Sequence, residues 1–284
     1  MLRRFGQLPT TKVVGFLSWG IMNVCKLPLI GAIAGDIIGS TRERKPEKNY
    51  GLELFKEGST FTDDTVMLLA VAEASMNGRD YATSLRTLCR KYRDAGYGAM
   101  FGSWVDSVAA GPYESWGNGS AVRATPIGWI YSGRKDLTKE ARRSAEVTHN
   151  HVEGIKGADA AVHAVCLLRR VNDKVVFRKF MELSYGYDFS LTDDEIRPDN
   201  KFDVSCQVTV PHAFICFLCS TSFEDCLRRA VSLGGDADSL GCLAGAVAQA
   251  YYGEVPQHIA EPAYDMLPAD LRDILVAFSG WLGL

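Results

Sequence analysis

Thr62-Asp63-Asp64 and Gly235-Asp236-Ala237-Asp238-Ser239 each stand directly before an apolar run that reads as a helix. Their four carboxylates and two hydroxyls are hard oxygen donors, a set that suits magnesium, manganese or calcium and suits zinc or copper poorly. The pairing predicts one binuclear site made by Thr62, Asp63, Asp64, Asp236, Asp238 and Ser239, with two Mg²⁺ or Mn²⁺ ions as its cofactors. The same pattern also describes an ordinary N-cap followed by acids that favour the helix dipole, and either cluster taken alone reads that way. Density favours the metal, because Asp236 and Asp238 flank a single alanine after a double glycine. If the clusters meet, like charges ~4 Å apart repel by roughly 4 kcal/mol at an effective dielectric of 20, which a bound cation or protonation must relieve.

Three other stretches carry groups able to do chemistry. Gly117-Asn118-Gly119-Ser120-Ala121 is a glycine-rich turn entering a helix, a junction that presents free N–H groups and a positive dipole end to an anion such as a diphosphate. No Gly-Lys-Ser follows, so it is not a Walker motif, and an ordinary tight loop has the same spacing. Thr148-His149-Asn150-His151 places two of the five histidines beside a helix end. For His149 a core hydrogen bond is the expected role, while His151 is the one expected to face the cleft as a ligand-orienting donor. Asp36, alone in the apolar stretch 31–40, is expensive to bury unless it is hydrogen-bonded or near cations. Glu43 lies two helical turns beyond it on a charged loop, where a carboxylate can serve as general base; Arg42, Arg44 and Lys45 are expected to form a solvated face.

Helical periodicity runs through 65–76, 81–94, 101–110, 121–131, 138–148, 154–171, 174–183, 210–220, 224–232, 240–251 and 269–282, and few stretches alternate with period two. The expected fold class is therefore all-α, a single domain of many helices. Ser222 three residues before Asp225, with Gly111-Pro112, Gly133 and Gly253, supplies start and stop signals. Gly241 and Gly245, four apart among alanines, allow a close helix approach; the expected partner is the helix beginning at Thr65, which would bring the two acidic N-termini together.

With 284 residues, 47% of them hydrophobic and 23% charged, the chain can bury a large core, and its net charge of -3 provides no basic field for nucleic acid. Eight cysteines scattered through apolar segments read as buried hydrophobes, which fits a cytoplasmic protein; the Cys216-Phe217-Leu218-Cys219 spacing lies within an apolar run and is not expected to be redox-active. Arg3 and Arg4 precede an apolar stretch, 13–30, with the look of a signal peptide. Asn23, Lys26 and Pro28 interrupt it, and no small-x-small cleavage site follows, so residues 1–28 are expected to be an amphipathic extension packed on the domain or binding a partner, with secretion the lesser alternative.

Taken in order, the blocks 31–43, 61–65, 117–128, 148–157 and 234–239 resemble the ADP-ribosylglycohydrolase family. The resemblance implies an all-α orthogonal bundle over 29–284 that binds two Mg²⁺ or Mn²⁺ ions and removes ADP-ribose from modified protein side chains or small conjugates. It further implies that Thr62, Asp63, Asp64, Asp236, Asp238 and Ser239 hold the metals. Glu43 matches the catalytic glutamate, with Asp64 catalytic through the metal it holds. Gly117, Asn118, Gly119 and Ser120 match the phosphate loop, with His151 placed at the substrate rim. Ser239 stands where threonine is usual, Val152 follows His151 where relatives often have proline, and residues 1–28 have no counterpart in the minimal pattern.

Arginine is the first expected linkage, with the loops 113–116 and 185–189 expected to set specificity. A second reading is an immunity protein that neutralises an ADP-ribosyltransferase toxin by hydrolysis or by occlusion through residues 1–28. A third, a catalytically silent structural relative, is disfavoured by four retained aspartates and Glu43. Monomer is the default oligomeric state.

Overall fold

The computed structural model describes residues 23–131 and 133–284. The signal-like reading of 13–30 and the toxin-blocking reading of 1–28 fall for the most part outside those residues. Among the described residues fifteen α-helices follow one another: α1 (Ile30–Gly39), α2 (Asp63–Asn77), α3 (Tyr81–Lys91), α4 (Ala99–Asp106), α5 (Gly119–Ala124), α6 (Ile127–Ile130), α7 (Arg134–Glu146), α8 (Val152–Arg170), α9 (Lys174–Tyr185), α10 (Asp193–Ile196), α11 (Cys206–Cys219), α12 (Phe223–Ser232), α13 (Ala237–Tyr252), α14 (Gln257–Asp265) and α15 (Ala269–Leu282). No β-strand occurs there; the one extended pairing is the bridge between Gly117 and Ser205. The all-α expectation holds, and no described helix is long and apolar enough to cross a membrane.

Two helices form the centre. Every residue of α1 is buried, as is α13 from Ala237 to Ala250, the condition of a helix apolar on all sides. Their crossing is made at the level of the backbone: a Cβ on Gly35 would lie 1.9 Å from the Gly241 carbonyl oxygen, and one on Gly245 would lie 2.0 Å from that of Gly31. The small-residue face of α13 therefore packs on α1, whereas the expectation drawn from Gly241 and Gly245 had been α2. The helix N-termini meet all the same, because α1 carries Asp36 between them. Around this pair stand α8, α11, α12 and α14, while α2 and α5 close the remaining side.

Local chemistry explains most boundaries. Ser222 caps α12 by accepting from the Asp225 N–H at 3.1 Å, and Gly253, at φ 85°, ends α13. The run expected over 121–131 is broken in two at Pro126, which has no N–H to donate and disfavours helix in the residue before it. The helix expected over 101–110 begins at Ala99 and stops at Asp106. α10 and α14 were not anticipated, the first because it is one turn long, the second because Pro262 interrupts its pattern. Residues 23–28 pack on the domain, where Gln249 Nε2 donates to the Leu27 carbonyl at 2.8 Å and the Val255 N–H to that of Cys25 at 2.9 Å. All eight cysteines are free, and Cys216 and Cys219 both lie within α11.

Candidate metal and ligand cleft

The N-termini of α2 and α13 converge. Thr62 caps α2, its Oγ1 accepting from the Asp64 N–H at 3.3 Å, which places Asp63 and Asp64 in the first turn. Asp236 occupies the cap position of α13 without capping it; its Oδ2 instead accepts from Asn118 Nδ2 at 2.5 Å. Asp238 and Ser239 follow in the first turn, and Ser239 Oγ donates to Asp64 Oδ2 at 2.7 Å. The cap reading thus accounts for Thr62 and fails for Asp236.

A third helix adds a fifth carboxylate to the cluster. Asp36, fully buried on α1, accepts from Thr62 N at 2.9 Å, Thr62 Oγ1 at 2.6 Å and Thr65 N at 3.2 Å, as well as from Thr65 Oγ1. Oxygens of Asp36, Asp64 and Asp238 all lie within 4.8 Å of one another, and all three residues are buried. Asp36 had been noted from sequence only as costly to bury; a lone aspartate in an apolar helix gives no ligand spacing to read.

Burial raises the pKa of every aspartate here. It holds Asp64 and Asp238 well above the usual carboxylate range, with neighbouring carboxylates adding to the effect, and it lifts Asp63 to about 8. Asp36 and Asp236 move in the same direction, opposed by the hydrogen bonds they accept. Without a cation these groups must share protons. The carboxylate oxygens of Asp36, Asp64 and Asp238, within one ion's reach, are hard donors that suit a divalent cation.

The cluster lines a cleft of about 540 Å³ that also includes Glu43, Gly117, Asn118 and Gly119. Glu43 is partly buried on the loop after α1, its pKa raised by burial and by Asp236, with Arg44 3.8 Å away pulling the other way. Its neighbour Arg42, expected in solvent, is fully buried: Nη1 donates to the Ile38 carbonyl at 2.7 Å and Nε to Glu47 Oε2 at 2.9 Å, so the guanidinium pins the loop that carries Glu43. Arg44 and Lys45 are exposed.

Beside the cluster, Gly117 pairs with Ser205 and the Asn118 N–H donates to the Val204 carbonyl at 2.7 Å, which orients the start of α5 toward the cleft. Ser120 is fully buried and its hydroxyl donates to the Gly154 carbonyl at 2.8 Å, so it braces the turn and lies off the cleft wall. His149 is buried with the expected core hydrogen bond, Nδ1 to Thr148 Oγ1 at 2.7 Å, and His151 departs from its expected place in the cleft. His149 lines the cleft, while His151 caps α8 through Nδ1, which accepts from Glu153 N at 3.2 Å, with its ring edge-on to Trp116. Tyr97, Met100, Phe101, Tyr113, Phe202 and Val204 form apolar walls. Loop 113–116 borders the cleft through Tyr113 and Ser115, whereas Gly186, Tyr187 and Asp188 line a separate cavity of about 390 Å³ that holds none of the predicted site residues.

Comparison with known proteins gives the family. The profile of the ADP-ribosylglycohydrolase family matches residues 28–281. ADP-ribosylhydrolase ARH3 of Bos taurus is 26% identical, over 81% of this chain and 85% of the relative. ADP-ribosylarginine hydrolase Tri1 of Pseudomonas putida (strain GB-1) is 27% identical, over 79% of this chain and 69% of the relative. A solved structure described as an ADP-ribosylglycohydrolase-related protein complex superposes with a TM-score of 0.72 at 22% identity, covering 90% of this chain and 96% of its own, a likeness of fold. With the family profile spanning nearly the whole described chain and its buried acidic cluster in place, the chain belongs to the ADP-ribosylglycohydrolase family.

Proposed function

We propose that this protein is a divalent-metal-dependent hydrolase that releases ADP-ribose from a modified protein side chain or small conjugate. The observation that carries the reading is the buried carboxylate cluster in a cleft that also holds the Gly117–Gly119 turn, with Asn118 of the turn hydrogen-bonded to Asp236. That adjacency suits a ligand in which a hydroxyl-rich sugar is joined to a diphosphate. The relatives' printed names, an ADP-ribosylhydrolase and an ADP-ribosylarginine hydrolase, support the same substrate class, and the second supports arginine as the first linkage to test.

Thr62, Asp63, Asp64, Asp236, Asp238 and Ser239 would hold two Mg²⁺ or Mn²⁺ ions, which when bound supply Lewis-acid polarisation and a template for the ribose hydroxyls. The chain's own groups do the rest. Glu43, its pKa raised by burial and by Asp236, accepts a proton from the attacking water as that oxygen bonds to the anomeric carbon. The bond from the anomeric carbon to the side-chain nitrogen or oxygen breaks through an oxocarbenium-like transition state; the leaving atom takes a proton from solvent water, and Glu43 returns the proton it accepted to solvent. N–H groups at the start of α5 hold the anionic part of the ligand away from the reacting bond, so that binding there aids positioning. Apolar walls from Phe101, Tyr113 and Phe202 exclude water around it.

Calorimetry with free ADP-ribose in Mg²⁺, followed by hydrolysis of arginine- and serine-linked ADP-ribosyl peptides, tests the reading. Binding together with turnover of one linkage is expected; absence of ADP-ribose binding and of turnover on both peptides refutes it.

A further inference from the structure

Behind the cleft wall, His149 is joined to a buried cation. Its ring lines the cleft with Nε2 toward the turn, so that a Cβ added to Gly117 would come within 3.3 Å of that nitrogen. On the other edge, Nδ1 lies 2.7 Å from Thr148 Oγ1. The same oxygen accepts from Arg123 Nη2 at 2.8 Å. Arg123 is fully buried on α5; Nη2 also reaches the Ser144 carbonyl at 2.8 Å, while Nε and Nη1 have no hydrogen-bond partner among the described residues. Burial lowers its pKa only to about 10, so it stays charged at neutral pH.

A guanidinium can only donate, so Thr148 Oγ1 must accept from it. The threonine hydroxyl then has its own hydrogen to place, and the neighbour within reach is His149 Nδ1. A buried hydroxyl left without an acceptor is costly, and the positive charge one bond further back polarises it toward donation. Nδ1 accordingly accepts, which leaves the ring's single proton on Nε2, the nitrogen that faces the cleft. Burial and the Arg123 charge together hold the imidazole pKa well below its ordinary value. Tyr113, which meets the ring at 6.1 Å, is itself kept neutral by burial, its pKa pushed up to about 12.

We propose that Arg123 and Thr148 are positioning residues that lock His149 as a neutral Nε2–H donor toward an anionic group held beside the Gly117–Gly119 turn. The inference rests on the reading of the cleft as a site for a diphosphate-bearing ligand. A fixed tautomer places a donor there without a rotamer or proton search on binding, and a neutral one gives direction without the affinity of a full ion pair.

Long-range ¹H–¹⁵N spectra of the histidine-labelled full chain test the relay, with the His149 signal assigned by its loss in His149→Gln. Wild type should show the Nε2–H tautomer, neutral between about pH 6 and pH 8. ADP-ribose binding in Mg²⁺ should weaken about tenfold in Thr148→Val, with the His149 tautomers mixed, and recover in Thr148→Ser, the change expected for one lost hydrogen bond. An Nδ1–H tautomer or a charged ring in wild type overturns the inference, as does Thr148→Val with unchanged affinity. If Thr148→Val does not fold, the wild-type spectrum and the behaviour of Thr148→Ser decide. Failure of wild type to bind ADP-ribose counts against the functional reading, and the spectrum still judges the relay independently.

Discussion

Ser239 Oγ donates to Asp64 Oδ2 across 2.7 Å, joining the first turns of two helices separated by 175 residues. Only a fold that brings the ends of α2 and α13 over the same side of α1 can make this contact, and the contact places Asp64, Asp238 and Asp36 within one ion's reach. The hydrogen bond is also the one interaction that favours ionised Asp64 against burial and its acidic neighbours. Packing in the core thus assembles a cluster that is unfavourable without a cation.

Replacing one of these carboxylates by its neutral isostere should therefore stabilise the metal-free protein. Asp64→Asn and Asp238→Asn are expected to raise the melting temperature in chelator by about 2–6 °C, while abolishing most of the rise that Mg²⁺ gives wild type. Differential scanning calorimetry with and without Mg²⁺ reads both effects. A metal-dependent rise of wild-type size in both variants would remove these residues from the ligand set.

The pH dependence follows from the sign of the shifts. Asp63, Asp64 and Asp238 have folded-state pKa values above the unfolded value of 3.8, about 8 for Asp63. Between those values the native state binds more protons than the unfolded chain, so stability is highest at the acid end of the interval and declines as pH rises through it. In chelator the melting temperature should fall from about pH 5 to pH 8, and saturating Mg²⁺ should flatten that slope. A chelated protein that gains stability over this range would contradict the apo electrostatics described above.

Backbone contact between α1 and α13 leaves no room for a methyl group. Gly35→Ala would set a carbon 1.9 Å from the Gly241 carbonyl oxygen and Gly241→Ala one 2.4 Å from that of Gly35, so each should cost about 3 kcal/mol or more and lower metal affinity by displacing Asp36 from Asp238. Gly280→Ala on α15, with open space around the added carbon, should be neutral or stabilising by about 0.5–1 kcal/mol. Urea titrations of the three variants compare them directly.

Lys48 ties the loop that carries Glu43 to the loop that carries Phe202 and Val204: its ammonium donates to the carbonyls of Arg197, Pro198 and Asn200 at 2.6, 3.1 and 2.8 Å. Lys48→Met should loosen that wall, weakening ADP-ribose binding about 3–10-fold while leaving the Mg²⁺-dependent rise in melting temperature unchanged. Equal loss of both responses would place Lys48 in general stability instead.

Legibility in the sequence followed the reach of each interaction. Consecutive aspartates ahead of apolar runs announce themselves, since caps and hard ligands both occupy helix starts, and Thr62 through Asp64 and Asp236 through Ser239 were readable for that reason. Asp36 was not, because its partners Thr62 and Thr65 are distant in sequence and its own helix is apolar. Arg42 looks like a surface residue beside Arg44 and Lys45; only the carbonyl of Ile38 and the Glu47 carboxylate reveal it as buried. His149 and His151 are two residues apart, and which one faces the cleft depends on where α8 begins, a boundary set by the His151 cap. The partner of the Gly241 and Gly245 face was likewise a choice between apolar helices that local pattern cannot make, and close backbone approach to Gly31 and Gly35 decided it.

Release of free ADP-ribose from an arginine-ADP-ribosylated and a serine-ADP-ribosylated protein, in Mg²⁺ and in chelator, for wild type and Glu43→Gln, is the most direct test of the central claim. The account predicts release from at least one substrate that depends on Mg²⁺, is lost in chelator, and falls at least about a hundredfold in Glu43→Gln with metal-dependent stabilisation intact. Release that persists in chelator, or at the wild-type rate in Glu43→Gln, would contradict it.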